Sequence, residues 1–222
     1  MDEDATVPAD IRNTNPSNSG NCSICSGLGY ARSTDGAAVA RCDCQRQALR
    51  QMKLNEIAPR FRSSTFANYV PRDRLQRHAR DAIAGAPFSS YFLFGGYARG
   101  KTHLATAQYK TLVAVDRPCL FLSMAELIAD LSRADLDGDY FCLVRQRARH
   151  ALGFHLFIDD IDKFKSTDYR TAALFDLFDT LYKRQLGLTV TSNYSLSELA
   201  SSQQVHPAIV RRLDDMCRAV EV

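Results

Sequence analysis

The stretch YFLF-GGYARGKT-HLATAQYKTLV, residues 91–113, constrains this chain more than any other. Four apolar residues are followed by a loop with glycines at both ends. A run without Gly or Pro then continues with helical spacing. The pattern predicts a strand, a tight loop and a helix. The loop fits G-x-x-x-x-G-K-[ST], with Gly95, four residues, then Gly100, Lys101 and Thr102. Glycines let successive backbone N–H groups converge on an anion, and a helix start adds favourable partial positive charge. In this pattern the lysine reaches the β- and γ-phosphates of a nucleotide and the hydroxyl binds Mg²⁺. The expected nucleotide-binding run is therefore Gly95, Gly96, Tyr97, Ala98, Arg99, Gly100, Lys101, Thr102 and His103, with His103 structural rather than catalytic.

A strand–loop–helix unit of this kind needs a parallel sheet around it. Further short apolar or β-branched runs occur at CLFL (119–122), HLFI (155–158), LTVT (188–191) and RAVEV (218–222). Near-continuous apolarity suits strands buried on both faces by helices. The expected fold is α/β, a five-stranded parallel sheet between helices. Ser123 and Glu126 fit a capping box ahead of Leu127 and Leu131. Phe175, Leu177 and Leu181 read as core, as do Cys119, Cys142 and Cys217.

Hydrolysis needs more than a phosphate loop. One group must hold Mg²⁺ and another must orient water. HLFIDDIDKF supplies both, because its carboxylates emerge at the C-terminal end of a buried strand, where open α/β sheets bind ligands. Asp159 is expected to take Mg²⁺ and Asp160 to polarise water. Asn193, at the end of TVTSN, could bond the γ-phosphate or the attacking water.

Four of the seven cysteines, Cys22, Cys25, Cys42 and Cys44, crowd one end of the chain. They flank a stretch that could form a hairpin, and such paired spacing suggests metal binding. The run from Gln45 to Ile57 reads as a helix, ended by Pro59, with Leu49, Met52 and Ile57 as its apolar members. Residues 1–19 are rich in polar residues and Pro and read as disordered. Net charge is +3, too small to imply nucleic-acid binding by itself. No apolar run approaches the roughly 20 residues of a membrane span, and MDEDATVPAD is no secretory signal. The expectation is a cytosolic protein with no membrane partner.

Together these residues resemble the AAA+ ATPases of the DnaC/DnaI helicase-loader family, with IstB-type transposase helpers as close relatives. The resemblance is carried by APRFRSSTFANY (58–69), by the phosphate loop, by FIDDID as Walker B and by TSN as sensor 1. AIVRRLDDM (208–216) is similar to the family's Arg-finger segment, which implies Arg212 as a finger acting in trans within a homo-oligomer, with Arg211 as the fallback. CSICSGLGY and RCDCQ resemble the zinc region ahead of the ATPase core in many loaders, which implies structural Zn²⁺ on the four cysteines. Transposase helpers usually lack that region. The resemblance also implies ATP and Mg²⁺ as ligands, a replicative DnaB-type helicase bound through the N-terminal region, and single-stranded DNA.

The expected organisation is a tail at 1–19, a zinc-binding module at 20–46, a linker helix at 47–58 and an AAA+ core at 59–222 without a C-terminal helical lid. Adenine would then rest on the segment from Arg60 to Tyr69. Three positions stand out. Ala98 occupies a place where many relatives have Gly, Arg99 puts a charge in the loop, and Asp160 replaces a common Glu. Basic clusters at RDRLQRHAR (72–80) and RQRARH (145–150) could meet DNA phosphates, although any single Arg there reads as a solvated helix face. The competing readings are a transposition helper that binds duplex DNA, a nucleotide-binding adaptor with little hydrolysis and, least favoured, a P-loop kinase.

Overall fold

The computed structural model describes residues 22–32, 39–129, 152–163, 168–202 and 205–222. The tail, Leu131, Cys142 and the basic run 145–150 lie outside the described residues. The chain divides into two compact units, Met1–Glu56 and Ile57–Val222.

In the first unit, β1 (Tyr30–Arg32) pairs antiparallel with β2 (Val39–Arg41), Tyr30 opposite Arg41. Helix α1 (Asp43–Glu56) follows. It starts two residues before the run read from sequence. Asp43 suits the positive helix start and forms an ion pair with Arg46 one turn on. α1 buries none of its side chains: Leu49 is half-buried and Met52 is exposed. Ile57, expected to end this helix, is instead a buried residue of the second unit.

The second unit is built on β3 (Tyr91–Phe94), β4 (Cys119–Ser123), β5 (His155–Asp159), β6 (Gly187–Ser192) and β7 (Arg218–Glu221). These are the five apolar runs, with ends shifted by a residue at most. All pair in parallel in the order β4-β5-β6-β3-β7. From β3 the chain crosses to β4 and returns through β5 to β6. It then passes β3 to form β7 on the other side. The strand order therefore reverses at β3, and its C-terminal end is where such sheets bind ligands.

Helices α2 (Arg74–Gly85) and α3 (Lys101–Ala114) cover one face. Ala79, Ile83, Leu104 and Ala105 pack there on Tyr91, Leu93 and Val220. Tyr109 of α3 meets Phe121 and Phe157 edge-on, at 5.6 and 5.4 Å. Helices α4 (Asp168–Lys183), α5 (Leu196–Ser202) and α6 (Pro207–Met216) cover the other face with the larger apolar cluster. Leu177 and Leu181 are fully buried in it, whereas Phe175 is 36% exposed, so that part of the expected core faces outward. Cys119 and Cys217 are buried as expected. Residues 124–129 are helical, and Ser123 and Glu126 form the expected reciprocal cap, with N···O distances of 2.7 and 3.2 Å.

A polar chain crosses the buried layer between α3 and the sheet. Gln108 Nε2 donates to the carbonyls of Pro87 and Ser89, both at 2.9 Å, so Oε1 must face Thr189. The Thr189 hydroxyl donates its single hydrogen to that oxygen at 2.9 Å. It therefore accepts from His155 Nε2 at 2.9 Å, which sets the tautomer of a neutral imidazole. Burial pushes the His155 pKa down to about 3. Gly187 lies against this ring, and a Cβ there would overlap it.

Candidate nucleotide-binding site

The phosphate loop leaves β3 at Phe94 and enters α3 at Lys101. Gly95 has φ +137°, and a Cβ there would lie 2.6 Å from the Val222 carbonyl oxygen. Gly100 has φ +96°, and its Cβ would lie 2.6 Å from the Tyr69 ring. Both positions therefore need glycine for conformation and for space. Ala98 also adopts the left-handed region, at φ +57°, which costs a non-glycine residue about 1–2 kcal/mol.

The loop is braced from outside. Arg99 forms an ion pair with Asp73, and its Nε donates to the Val222 carbonyl at 3.0 Å. The Arg99 carbonyl accepts from Tyr69 Oη at 3.0 Å and from Gln76 Nε2 at 2.9 Å. Asp73 also caps α2 by accepting from the Gln76 N–H at 2.9 Å. That bond, followed by the Arg99 guanidinium, holds the Asp73 carboxyl below its usual range. The charge at Arg99 is thus turned onto a partner beside the loop. The segment before the core lies along α3: Lys110 Nζ donates to the carbonyls of Arg62 and Ser64, at 2.8 and 3.0 Å. His103 Nε2 donates to the Thr65 carbonyl at 2.9 Å, and its ring meets Tyr69 edge-on.

Inside the loop, Lys101 Nζ donates to the carbonyls of Gly95 and Gly96, both at 2.7 Å, and to Asn193 Oδ1 at 3.0 Å. Burial lowers its pKa, and the carboxylates of Asp160, Asp162 and Asp159 oppose that shift. The Thr102 hydroxyl donates to Asp159, 3.0 Å from Oδ1 and 3.2 Å from Oδ2. The Thr191 hydroxyl donates to the same carboxylate at 2.6 Å and accepts from the Asp160 N–H at 2.8 Å. Burial raises the Asp159 pKa, while the Thr191 and Thr102 hydroxyls oppose that shift. Asp160 sits at φ +58° and forms an ion pair with Lys163. Asp162 accepts from both the backbone and side-chain N–H of Asn193, at 3.0 and 2.9 Å.

The fold thus gathers Gly95, Lys101, Thr102, Asp159, Asp160 and Asn193 at one end of the sheet. Tyr97 is exposed in the loop. Arg212 is held within its own chain by Asp179 at 3.1 Å, and its guanidinium lies 4.5 Å over the Tyr182 ring. Arg211 is exposed. Asp162, Thr191, Tyr69, Gln76 and Asp73 were given no individual role from the sequence. Thr191 and Asp162 lie inside the quoted motifs, but their spacing alone signals no task.

In the first unit, the sulfurs of Cys22, Cys25, Cys42 and Cys44 all lie within 4.8 Å of one another. The Cys22–Cys42 and Cys25–Cys44 separations are 3.7 and 3.4 Å, too long for disulfides. Tetrahedral zinc at about 2.3 Å from each sulfur would set them about 3.8 Å apart, so this donor set fits the ion. The N–H groups of Cys25 and Ile24 draw the Cys22 pKa down to about 6, and the adjacent Cys25 sulfur leads in pushing Cys44 up to about 12. Four mutually close sulfurs cannot all ionise without a cation between them. No helix among the described residues is long and apolar enough to cross a membrane.

Comparison with known proteins agrees with this geometry. Residues 45–222 match the family described as IstB-like ATP binding protein. The chromosomal replication initiator protein DnaA of Rippkaea orientalis is 29% identical over 158 residues, covering 68% of this chain and 34% of that protein. The chain spans about a third of the length of the curated relatives it matches. Among solved structures, the DnaC helicase loader aligns with a TM-score of 0.63 at 21% identity, over 74% of this chain and 99% of that one. AMPPCP-bound DnaA from Aquifex aeolicus aligns at 0.62 and 18%, over 75% of this chain and 51% of that one. The fold is that of an AAA+ core, and the chain belongs to the IstB-like ATP-binding family.

Proposed function

We propose that this chain is an ATP-dependent loader that binds a replicative DnaB-type helicase and helps place it on single-stranded DNA, with ATP as its assembly switch. The observation that carries this reading is a four-sulfur cluster N-terminal to an IstB-like core whose phosphate loop, Asp159 and Asn193 converge. The solved neighbours include a helicase loader and a DnaA bound to AMPPCP and single-stranded DNA.

In this reading Lys101 holds the β- and γ-phosphates against the loop N–H groups. Thr102 and Asp159 would hold Mg²⁺, which would supply charge neutralisation for the phosphates. Asp160 polarises the attacking water and Asn193 orients it. An arginine from a neighbouring subunit stabilises charge on the transferring phosphoryl group, an effect of about 10³–10⁵ in rate in other NTPases. Such a finger must leave its own surface. Arg212 would have to abandon Asp179 and Tyr182, so Arg211 is the better placed of the two. Turnover then reports assembly, and a dilute protein is nearly idle.

The cysteine module at 20–46 and the helix after it form the helicase-binding arm, held by Zn²⁺. Arg74 and Arg77, exposed on α2, offer contacts for DNA phosphates, while Arg80 is occupied by Asp81. The deciding experiment is binding of the full chain to the replicative helicase of its source, with ATP and with ADP. Binding that requires Cys22 and Cys25 and differs between nucleotides supports the loader. Absence of binding in both states refutes it. The match to the IstB-like family favours, as a second reading, a transposition helper, for which ATP-dependent binding to duplex DNA is the test. An adaptor without useful hydrolysis would function normally as Asp160→Asn.

A further inference from the structure

Three carboxylates stand within four residues, and each has its own partner. Asp159 takes Thr102 and Thr191, Asp160 takes Lys163, and Asp162 takes Asn193. Asp162 lies in the turn Ile161–Lys163, after Asp159, which ends β5, and Asp160, which follows it. Its two oxygens grip Asn193 at two points, Oδ1 on the backbone N–H at 3.0 Å and Oδ2 on Nδ2 at 2.9 Å. On the other side of the same amide, Oδ1 faces Lys101 Nζ at 3.0 Å.

An asparagine amide can be turned either way, and its neighbours decide. A carboxylate only accepts and an ammonium only donates. Asp162 therefore requires the nitrogen on its side, and Lys101 requires the oxygen on the other. A flipped amide would set oxygen against carboxylate and nitrogen against ammonium, losing two charge-assisted bonds at once. The amide oxygen is thereby committed to the phosphate side.

We propose that Asp162 is a positioning residue for ATP hydrolysis: it holds Asn193 so that Oδ1, an acceptor, faces the phosphate site and orients the attacking water. The proposal rests on the reading of residues 95–102 as a nucleotide site. A water has hydrogens to donate, whereas a γ-phosphate oxygen can only accept, so an oxygen-forward amide suits the water. The water oxygen bonds to the γ-phosphorus as the bond to the bridging oxygen breaks. The proton that the water loses passes by way of the Asp160 carboxylate to the phosphate released, Asn193 takes none, and ADP and phosphate leave. Lys101, already bonded to Asn193 Oδ1, ties the same amide to the phosphates.

The test is Asp162→Asn in the full chain. An asparagine there offers one acceptor oxygen and an NH2 that only donates, so its two ends cannot grip both Asn193 N–H groups as the carboxylate does, and it permits the flip. Single-turnover ATP hydrolysis at high protein concentration should fall about 10- to 100-fold, the worth of one to two lost hydrogen bonds. KM for ATP and the affinity for ADP should change far less than the rate, by about threefold at most, because the loop N–H groups and the Lys101 charge hold the phosphates whichever way the amide faces. In an Asn193→Ala background, Asp162→Asn should change the rate less than about threefold, since the amide it positions is gone. Asp162→Glu, which keeps the acceptor pair, should recover part of the rate and guards against a folding artefact, checked by thermal melting. A rate within about twofold of wild type for Asp162→Asn overturns the proposal, as do effects that multiply in the double variant. A wild-type protein that binds ADP but hydrolyses no ATP also overturns it. A protein that binds neither nucleotide fails the reading of the loop itself.

Discussion

Thr189→Val removes one oxygen from the centre of the second unit and leaves the shape almost unchanged. Valine is close in volume to threonine and suits a strand, so neither a cavity nor a loss of β-propensity accompanies the change. The consequence is electrostatic. The hydroxyl donates to Gln108 Oε1 and accepts from His155 Nε2, and Gln108 and His155 are both fully buried. Its loss orphans an acceptor and a donor that water cannot reach. Each buried orphan costs about 1–3 kcal/mol, so the variant should lose about 2–6 kcal/mol. That is a large part of the about 5–15 kcal/mol that holds a typical domain together. Urea unfolding followed by far-UV circular dichroism reads the loss, with nucleotide absent so that binding does not mask it. In a His155→Leu background one orphan is already gone, and Thr189→Val should cost about half as much. A loss below about 0.5 kcal/mol in the single variant, or equal losses in both backgrounds, would refute the network. The same imidazole gives a pH signature. Its pKa is about 3 in the fold against about 6.5 unfolded, so the unfolded chain binds the proton first. Its neutral form supports the fold fully above about pH 6.5. That support drains away as pH falls toward 3, by about 1.4 kcal/mol per unit. His155→Leu should flatten that part of the stability profile.

Other outcomes follow from single contacts. Gly100→Ala drives a methyl into the Tyr69 ring at a left-handed position, so nucleotide affinity measured by calorimetry should drop at least tenfold while the fold persists. Thr191→Val takes one of two hydroxyl donors from Asp159 Oδ1 and strips the Asp160 N–H of its acceptor, and steady-state ATP hydrolysis should fall about tenfold, with ADP affinity kept. Metal analysis of the purified chain should find one zinc per molecule. A chelator, or Cys22→Ser with Cys25→Ser, should release the metal and abolish helicase binding while nucleotide binding persists.

The sheet was legible because its signal is redundant. β3 to β6 are short apolar runs with both faces covered, the edge strand β7 buries only Val220, and the loop between Phe94 and Lys101 demands a strand before and a helix after. The helix following the cysteines was harder. α1 buries nothing, so no apolar stripe marks its ends, and its start is set by the charge at Asp43. Phe175 shows the opposite failure. Its apolar type matches Leu177 and Leu181, yet it points outward, because two residues before Leu177 it lies about 200° round α4 from the face that those two share.

In the site, residue types were legible and partnerships were not. FIDDID announces carboxylates at a strand end, and the phosphate loop ahead of it makes one of them a metal ligand by expectation. Which carboxylate does what depends on bonds to residues 31–57 positions away: Thr102 and Thr191 for Asp159 and Asn193 for Asp162. No spacing rule carries that information, because the sheet order brings β5 and β6 together and a one-residue turn in the backbone reassigns every side chain. Asp160 makes the point most sharply. Its left-handed backbone turns the chain between Asp159 and Asp162, so that neighbours in sequence face Thr102 on one side and Asn193 on the other. The strain at Asp160 is thus part of how one short motif serves two tasks, and a substitution that relaxes it should disturb both ends of the motif together.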